Sequence, residues 1–96
     1  MPAAARKGDS CTGHADFPSR PSIEGSGDVL INDQPALRQG DAFAVHCNPV
    51  PVCHGGSLAV GSATVLVNGK PLGRVGDGVS CGGSVAVGSS NVVVGG

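Results

Sequence analysis

The sequence is poor in aromatic side chains and in charge. Its 96 residues include two phenylalanines, at positions 17 and 43, and neither tryptophan nor tyrosine. A chain of this length buries only a small core, and the lack of large aromatic side chains makes that core smaller still. Such a chain usually needs a metal, disulfide bonds or a partner to stay folded. We therefore expect a single domain, residues 1–96, that is stabilised by more than hydrophobic burial.

Net charge is also close to zero, with six Lys and Arg residues against seven Asp and Glu residues. Without a basic patch or aromatic side chains for base stacking, the composition argues against a nucleic-acid-binding module. It also offers no attraction to an anionic membrane.

Long apolar segments are missing as well. The amino-terminal "MPAAARKGD" lacks the apolar region of a signal peptide, and no segment reaches membrane-spanning length. We therefore expect synthesis in the cytosol and, if the protein leaves the cell, a route without a cleaved signal. In a cytosolic product, four cysteines favour metal binding over a disulfide framework.

The sequence does contain an internal repeat, which is present in three copies. An Arg-x-Gly-Asp box occurs at residues 6–9, 38–41 and 74–77. A second block, Gly-Ser-x-x-Val followed by apolar residues, begins at Gly25, Gly61 and Gly88, so that box and block alternate. In each box we expect the glycine to supply a turn and the aspartate to accept backbone N–H groups. The arginines are expected to lie exposed or to pair with these aspartates.

The local patterns are those of β-structure. The segments "VLINDQPALR" and "VLVNGKPLGR" each join a short apolar run to a return segment through a two-residue corner. Asn68-Gly69 is a strong type I′ hairpin signal and Asn32-Asp33 a weaker one, while no window keeps a helical period over ten residues. The sequence predicts an all-β fold of short strands with pseudo-threefold internal repeats. Alternation along the strands is expected to decide which of six apolar repeat residues enter the small core: Val29, Ile31, Val65, Val67, Val92 and Val94.

Four residues are candidate metal ligands because they fall at related places in the repeats. His14, His46 and Cys81 each follow a box aspartate by four or five residues. His54 begins "HGGSLAVGS" where Cys81 begins "CGGSVAVGS". Zinc accepts imidazole nitrogen and thiolate sulfur alike, so a repeat can exchange these residues and keep the site. The pattern predicts a closed, structural zinc site of His14, His46, His54 and Cys81, with iron as an alternative ion.

The remaining cysteines, Cys11, Cys47 and Cys53, are rival ligands. Adjacent side chains of an extended chain point to opposite sides, so only one of His46 and Cys47, and one of Cys53 and His54, should face the ion. A site of two cysteines and two histidines is therefore an alternative. Cys47 and Cys53 bracket the loop "NPVPV" and either form a disulfide outside the cell or remain free thiols.

A small zinc hydrolase is the competing enzymatic hypothesis. It would need an open coordination position and a nearby general base. Four protein ligands leave no such position, and Glu24, the only glutamate, lies in no recognisable ligand-base motif. We therefore expect no catalytic residues and a non-enzymatic protein.

Several segments together carry a resemblance to a known family: "PAAAR" at 2–6, "GSATVLVNGKPLGRVGD" at 61–77, "SCGG" at 80–83 and "GSSNVVVGG" at 88–96. The chain resembles the PAAR-repeat family over essentially its whole length, with the loop at 47–53 the least typical part. The resemblance implies a small β-rich cone whose flat base sits on the trimeric β-helical spike of a contractile injection machine. It also implies zinc near the apex, held by three histidines and one cysteine, which by position are the same four residues.

The function implied by this resemblance is structural. Such a protein caps and sharpens the trimeric valine-glycine-repeat spike of a type VI secretion system, with one chain per trimer. It helps the spike to pierce target membranes in a transient contact and recruits effector proteins. The equivalent tip of a contractile phage or phage-like tail is the alternative. A tip of this kind is assembled in the cytoplasm and then secreted or injected into a target cell, and longer family members carry fused toxic domains for which these 96 residues leave no room.

Overall fold

The structure is a computed structural model that describes residues 1–13, 17–50 and 52–95. It contains six strands: β1 (Leu30–Ile31), β2 (Gln34–Pro35), β3 (Ala42–Cys47), β4 (Cys53–Ser57), β5 (Leu66–Val67) and β6 (Lys70–Pro71). Consecutive strands pair as three antiparallel two-stranded sheets, β1–β2, β3–β4 and β5–β6. The described residues contain no helix, and hence none long and apolar enough to cross a bilayer. The all-β prediction is confirmed.

A closed ring of backbone hydrogen bonds joins the three repeats. The N–H of Leu37 donates to the carbonyl of Ala5 (3.1 Å), that of Gly73 to Leu37 (2.8 Å), and that of Ala5 to Gly73 (2.9 Å). Each of these residues directly precedes the arginine of a box, so the first copy bonds to the second, the second to the third and the third to the first. The repetition in the sequence is thus a pseudo-threefold symmetry in space.

The three Arg-x-Gly-Asp boxes adopt one conformation. Their glycines Gly8, Gly40 and Gly76 have φ of 96°, 93° and 95°, the left-handed region in which glycine is favoured. In every box the aspartate accepts a hydrogen bond of 2.8 Å from the backbone N–H of the arginine, and the two side chains form an ion pair of 2.8–3.0 Å. Because each guanidinium also donates hydrogen bonds to its carboxylate, the pKa of all three arginines is raised. The arginines were expected either to lie exposed or to pair with the aspartates, and the structure shows the pairing.

Two of the three blocks form the predicted hairpins. Asn32 and Asp33 have φ of 54° and 65°, and Asn68 and Gly69 have φ of 54° and 78°, as type I′ turns require. The third block is paired differently, because the amino terminus supplies its return strand. Ala3 forms a β-bridge with Val93, and the N–H of Val94 donates to the carbonyl of Pro2 (2.8 Å). The two ends of the chain thus complete the third repeat.

The core consists of two clusters on opposite sides of the ring. The first cluster contains Ala5, Cys11, Leu37, Phe43, Leu58, Val79 and Val85. The second cluster contains Ala4, Ile31, Ala36, Val67, Leu72 and Val94. Neighbouring residues such as Ala4 and Ala5 enter different clusters because successive side chains of an extended chain point to opposite sides. The molecule is elongated, with principal extents of 39 × 25 × 21 Å.

The apolar block residues divide between the second cluster and the surface. Ile31, Val67 and Val94 are buried in the second cluster. In every copy the two preceding residues are exposed. The exposed fraction is 36–38% for the valine two places earlier and 53–62% for the residue immediately before. We call this exposed set the base face: Val29, Leu30, Val65, Leu66, Val92 and Val93.

The box geometry predicts that Asp41→Ala destabilises the fold. Asp41 is 3% exposed and accepts hydrogen bonds from the backbone and the guanidinium of Arg38. Removing the acceptor should lower the free energy of unfolding by roughly 2 kcal/mol, measured by urea denaturation. Gln39→Ala, at an exposed position of the same box, is the control and should change little. Equal stability of the two variants would contradict this role of the aspartate.

Candidate metal centre

Three candidate ligands meet at one point on the first-cluster side of the ring. One ligand atom from each of His46, His54 and Cys81 lies within 4.8 Å of the other two. His46 lies in β3 and is 4% exposed, and His54 lies in β4 and is half-buried. Cys81 lies in a turn closed by a hydrogen bond from the Gly82 N–H to the Val79 carbonyl. The structure therefore brings together three of the four residues in the predicted ligand set, and His14 lies outside the described residues.

The β3–β4 hairpin separates the histidines from the neighbouring cysteines. Its register pairs His46 with His54 and Cys47 with Cys53. The histidines face the centre, while both cysteines are exposed and joined to each other by a disulfide bond. The expectation that only one residue of each adjacent pair faces the site is met. Of the two alternatives for Cys47 and Cys53, the structure has the disulfide and not the free thiols.

The disulfide also removes both of these thiols from metal ligation. Cys11, the third rival, is 1% exposed and packs in the first cluster, and it does not belong to the group of described donors. A site of two cysteines and two histidines is therefore not formed among the described residues.

The hydrogen bond between His46 and Pro18 indicates which ring nitrogen of His46 could bind a metal. Its Nδ1 lies 2.8 Å from the carbonyl oxygen of Pro18, and because a carbonyl only accepts, Nδ1 carries the proton. The lone pair is then on Nε2, which lies 2.6 Å from Nε2 of His54. Two imidazole nitrogens at this distance need a proton or a cation between them. Two imidazoles and a thiolate are donors that zinc prefers, and a carbonyl that holds the far ring nitrogen is the usual support of a ligating histidine.

Phe17 packs against both histidines. Its ring centroid lies 5.0 Å from that of His46 and 4.2 Å from that of His54. The first repeat thus contributes an aromatic ring and the Pro18 carbonyl, the second both histidines, and the third the thiol. Neither Phe17 nor Pro18 was predicted to belong to the site. The available signal was that Phe17 is one of only two aromatic residues and lies three positions after His14.

The glycines that follow His54 and Cys81 permit the close approach of the repeats. A Cβ atom on Gly56 would lie 3.0 Å from Cβ and 3.2 Å from Sγ of Cys81. A Cβ atom on Gly83 would lie 3.2 Å from the carbonyl oxygen of Gly13. Both distances are tighter than ordinary contacts, so a side chain at either position would push one repeat away from the next. The repeat keeps its glycines for packing, while the residue that carries the donor atom changes from His54 to Cys81.

Comparison with known protein families finds one match within the chain. Residues 51–96 match the family model of the PAAR motif. The chain carries a PAAR motif. The resemblance seen in the sequence is thereby confirmed over this segment, which contains His54 and Cys81 but not His46.

Two similar proteins are toxins of Pseudomonas aeruginosa. The chain is 38% identical over 65 residues to the NAD(P)(+) glycohydrolase toxin Tse6 of strain PAO1. It has the same identity over the same length to the (p)ppApp synthetase toxin Tas1 of strain UCBPP-PA14. The match covers 62% of this chain but only 15% of each toxin. The PAAR-motif chain therefore corresponds to a small part of these relatives, and the activities in their names are those of the whole toxins.

A metal at this centre should make stability sensitive to chelators. Adding EDTA to the wild-type protein should lower its melting temperature, because metal binding contributes directly to folding. Without EDTA, His54→Ala and Cys81→Ala should already have a lower melting temperature than the wild type, with a free energy of unfolding lower by roughly several kcal/mol. Their melting temperatures should not change when EDTA is added. Cys11→Ala removes a thiol outside the group and should keep the response. A chelator response in either ligand variant equal to that of the wild type would exclude that residue as a ligand.

Phe17 should raise the affinity of the centre for a metal. In Phe17→Ala the two imidazoles lose the ring that packs on them, so we expect metal affinity to fall about tenfold, as for other residues that support ligands. The measurement is competition for Co²⁺ or Zn²⁺ against a chromophoric chelator. Ile23→Ala, which truncates an exposed apolar side chain elsewhere, is the control. Equal affinities of the two variants would show that Phe17 only fills space.

Proposed function

We propose that this chain is the non-enzymatic tip that caps the trimeric spike of a type VI secretion system. The observation that carries the proposal is the threefold repetition of the base face. Each repeat presents the same two exposed aliphatic positions: Val29 and Leu30, Val65 and Leu66, Val92 and Val93. An exposed apolar surface of this kind marks an interaction site.

The symmetry of the base face indicates the kind of partner. Because the ring relates the three repeats, one chain offers three equivalent surfaces to three subunits. A single tip therefore caps the end of a trimeric valine-glycine-repeat spike, and the unpaired strand ends of both partners are covered in the complex. The PAAR motif supports this assignment.

The two toxin relatives support a role in effector delivery. In both proteins the matched segment is a small part of a longer chain that is named as a toxin. A tip that is assembled in the cytoplasm and injected with the spike would carry such effectors into the target cell. On this proposal the present chain supplies the docking and piercing part, residues 1–96, and effectors are its further partners.

The ion we propose for the centre is a structural Zn²⁺. His46, His54 and Cys81 would hold it, with His14 as the fourth ligand by position. Bound zinc supplies a cross-link between the second and third repeats and carries no reaction step. The chain's own residues do the rest: the Pro18 carbonyl orients the His46 ring, and Phe17 covers both imidazoles.

The β3–β4 hairpin has the composition expected for a transient contact with the target membrane. Residues 42–57 contain no Lys, Arg, Asp or Glu. Val45, Val50 and Val52 are 57%, 77% and 53% exposed. A hairpin without charged groups avoids the largest cost of entering a bilayer, which is the desolvation of ions.

The proposal predicts a complex of one chain with three spike subunits, measurable by light scattering after size-exclusion chromatography. Leu30→Glu/Leu66→Glu should weaken spike binding by at least about tenfold, because it places carboxylates in an apolar interface. Val60→Glu/Val87→Glu is the matched control. These valines are also exposed, and Glu24 already occupies the corresponding position in the first repeat.

The control variant should bind like the wild type. Equal loss of binding in both double variants would contradict the assignment of the base face. A complex with three chains per spike trimer would contradict the symmetry argument.

A further inference from the structure

We propose that the Cys47–Cys53 disulfide positions His46 and His54, so that the candidate metal centre binds its ion more tightly in oxidising than in reducing surroundings. This inference rests on the metal centre of the proposed function. It adds a coupling between two sites that face opposite sides of one hairpin.

The first observation is adjacency. In the β3–β4 ladder, the pair Cys47–Cys53 directly follows the pair His46–His54. The covalent bond therefore lies one residue beyond the two imidazoles, between the metal ligands and the loop. Both cysteines are exposed, so a reductant has access to the bond.

The second observation is an irregularity between this part of the hairpin and the rest of the fold. Ala42 pairs with Ser57 and Phe43 with Gly56, and the register then shifts before His46 is reached. A register shift of this kind interrupts the ladder, so the pairs on one side do not dictate those on the other. The outer part of the hairpin must have its register set locally.

Besides the disulfide, two kinds of contact constrain the outer hairpin: the Pro18 carbonyl and the Phe17 ring contact the imidazoles, and hydrogen bonds of Asn48 hold the loop. The Asn48 N–H donates to the Val52 carbonyl (3.0 Å), and the Asn48 side chain accepts hydrogen bonds from the N–H groups of Val50 and Val52. All of these groups belong to the exposed loop. A slip by one residue would carry a histidine to the opposite face of the hairpin. The covalent bond excludes that slip.

The consequence for the metal follows from where the ligands lie. Two of the three described donors, His46 and His54, belong to the outer hairpin, whereas Cys81 comes from a separate turn. With the disulfide closed, both imidazoles are held in place before the ion arrives, and binding does not have to order them. With the disulfide open, part of the binding free energy is used to order the hairpin.

The redox step is ordinary thiol–disulfide chemistry. A dithiol reductant breaks the S–S bond and transfers two electrons and two protons, which leaves two thiols on the protein and a disulfide on the reductant. Cytosolic conditions favour the thiols, and conditions outside the cell favour the disulfide. On this basis the centre tightens its hold on the metal when the protein leaves the cytosol.

The test compares three forms of the full chain: oxidised wild type, reduced wild type freed of reductant under anaerobic conditions, and Cys47→Ser/Cys53→Ser. Zinc affinity is measured by competition with a chromophoric chelator, and the Co²⁺ complex of each form is examined by absorption spectroscopy. We expect the oxidised protein to bind zinc about tenfold or more tightly than the other two forms, which should agree with each other. The thiolate-to-cobalt band should show the same single thiolate in all three. Cys11→Ala should retain the difference between its oxidised and reduced forms.

Three results would overturn the inference, each in a distinguishable way. Equal affinity of all three forms would show that the disulfide does not position the histidines and would leave the metal centre intact. A reduced wild type that binds more tightly than the double variant, with additional thiolate absorption, would show that Cys47 or Cys53 is a ligand. Absence of zinc binding by the oxidised protein would remove the metal centre itself, and the proposed function would lose its zinc.

Discussion

The ring of backbone hydrogen bonds through Ala5, Leu37 and Gly73 is the constraint on which the rest of the fold depends. It brings backbone segments so close that a Cβ atom on Gly73 would lie 3.2 Å from the carbonyl oxygen of Leu37. The ring separates two small core clusters and sets the position of each Arg–Asp box around a common axis. With little aromatic surface to bury, the fold obtains its order from repeated hydrogen bonds and ion pairs made in the same way three times.

The two sides of this ring differ in symmetry, and the difference fits the two proposed tasks. On the base face the three repeats present equivalent aliphatic residues, as a trimeric partner requires. On the other side the repeats diverge: one supplies Phe17 and the Pro18 carbonyl, one supplies His46 and His54, and one supplies Cys81. A single ion needs different groups from different directions, so the pseudo-threefold pattern is abandoned where the metal is proposed to bind.

Local features of the fold were predictable from the sequence, and long-range ones were not. The turn at Asn68-Gly69 follows from these two neighbouring residues, and the structure confirms it. The packing of Phe17 on two histidines depends on how separate repeats meet, which no local pattern encodes. The Cys47–Cys53 bond depends on a hairpin register that the spacing of the cysteines left open. The place of His14 as the fourth ligand stays a prediction.

The most direct test of the account is X-ray absorption at the zinc K-edge of the purified, oxidised protein, together with its zinc content. The account predicts about one zinc per chain, bound by one sulfur at about 2.3 Å and by nitrogen ligands at about 2.0 Å. Two sulfur ligands, a shell of oxygen and nitrogen alone, or no stoichiometric zinc would contradict it, because the second and third repeats would then not be joined through His46, His54 and Cys81.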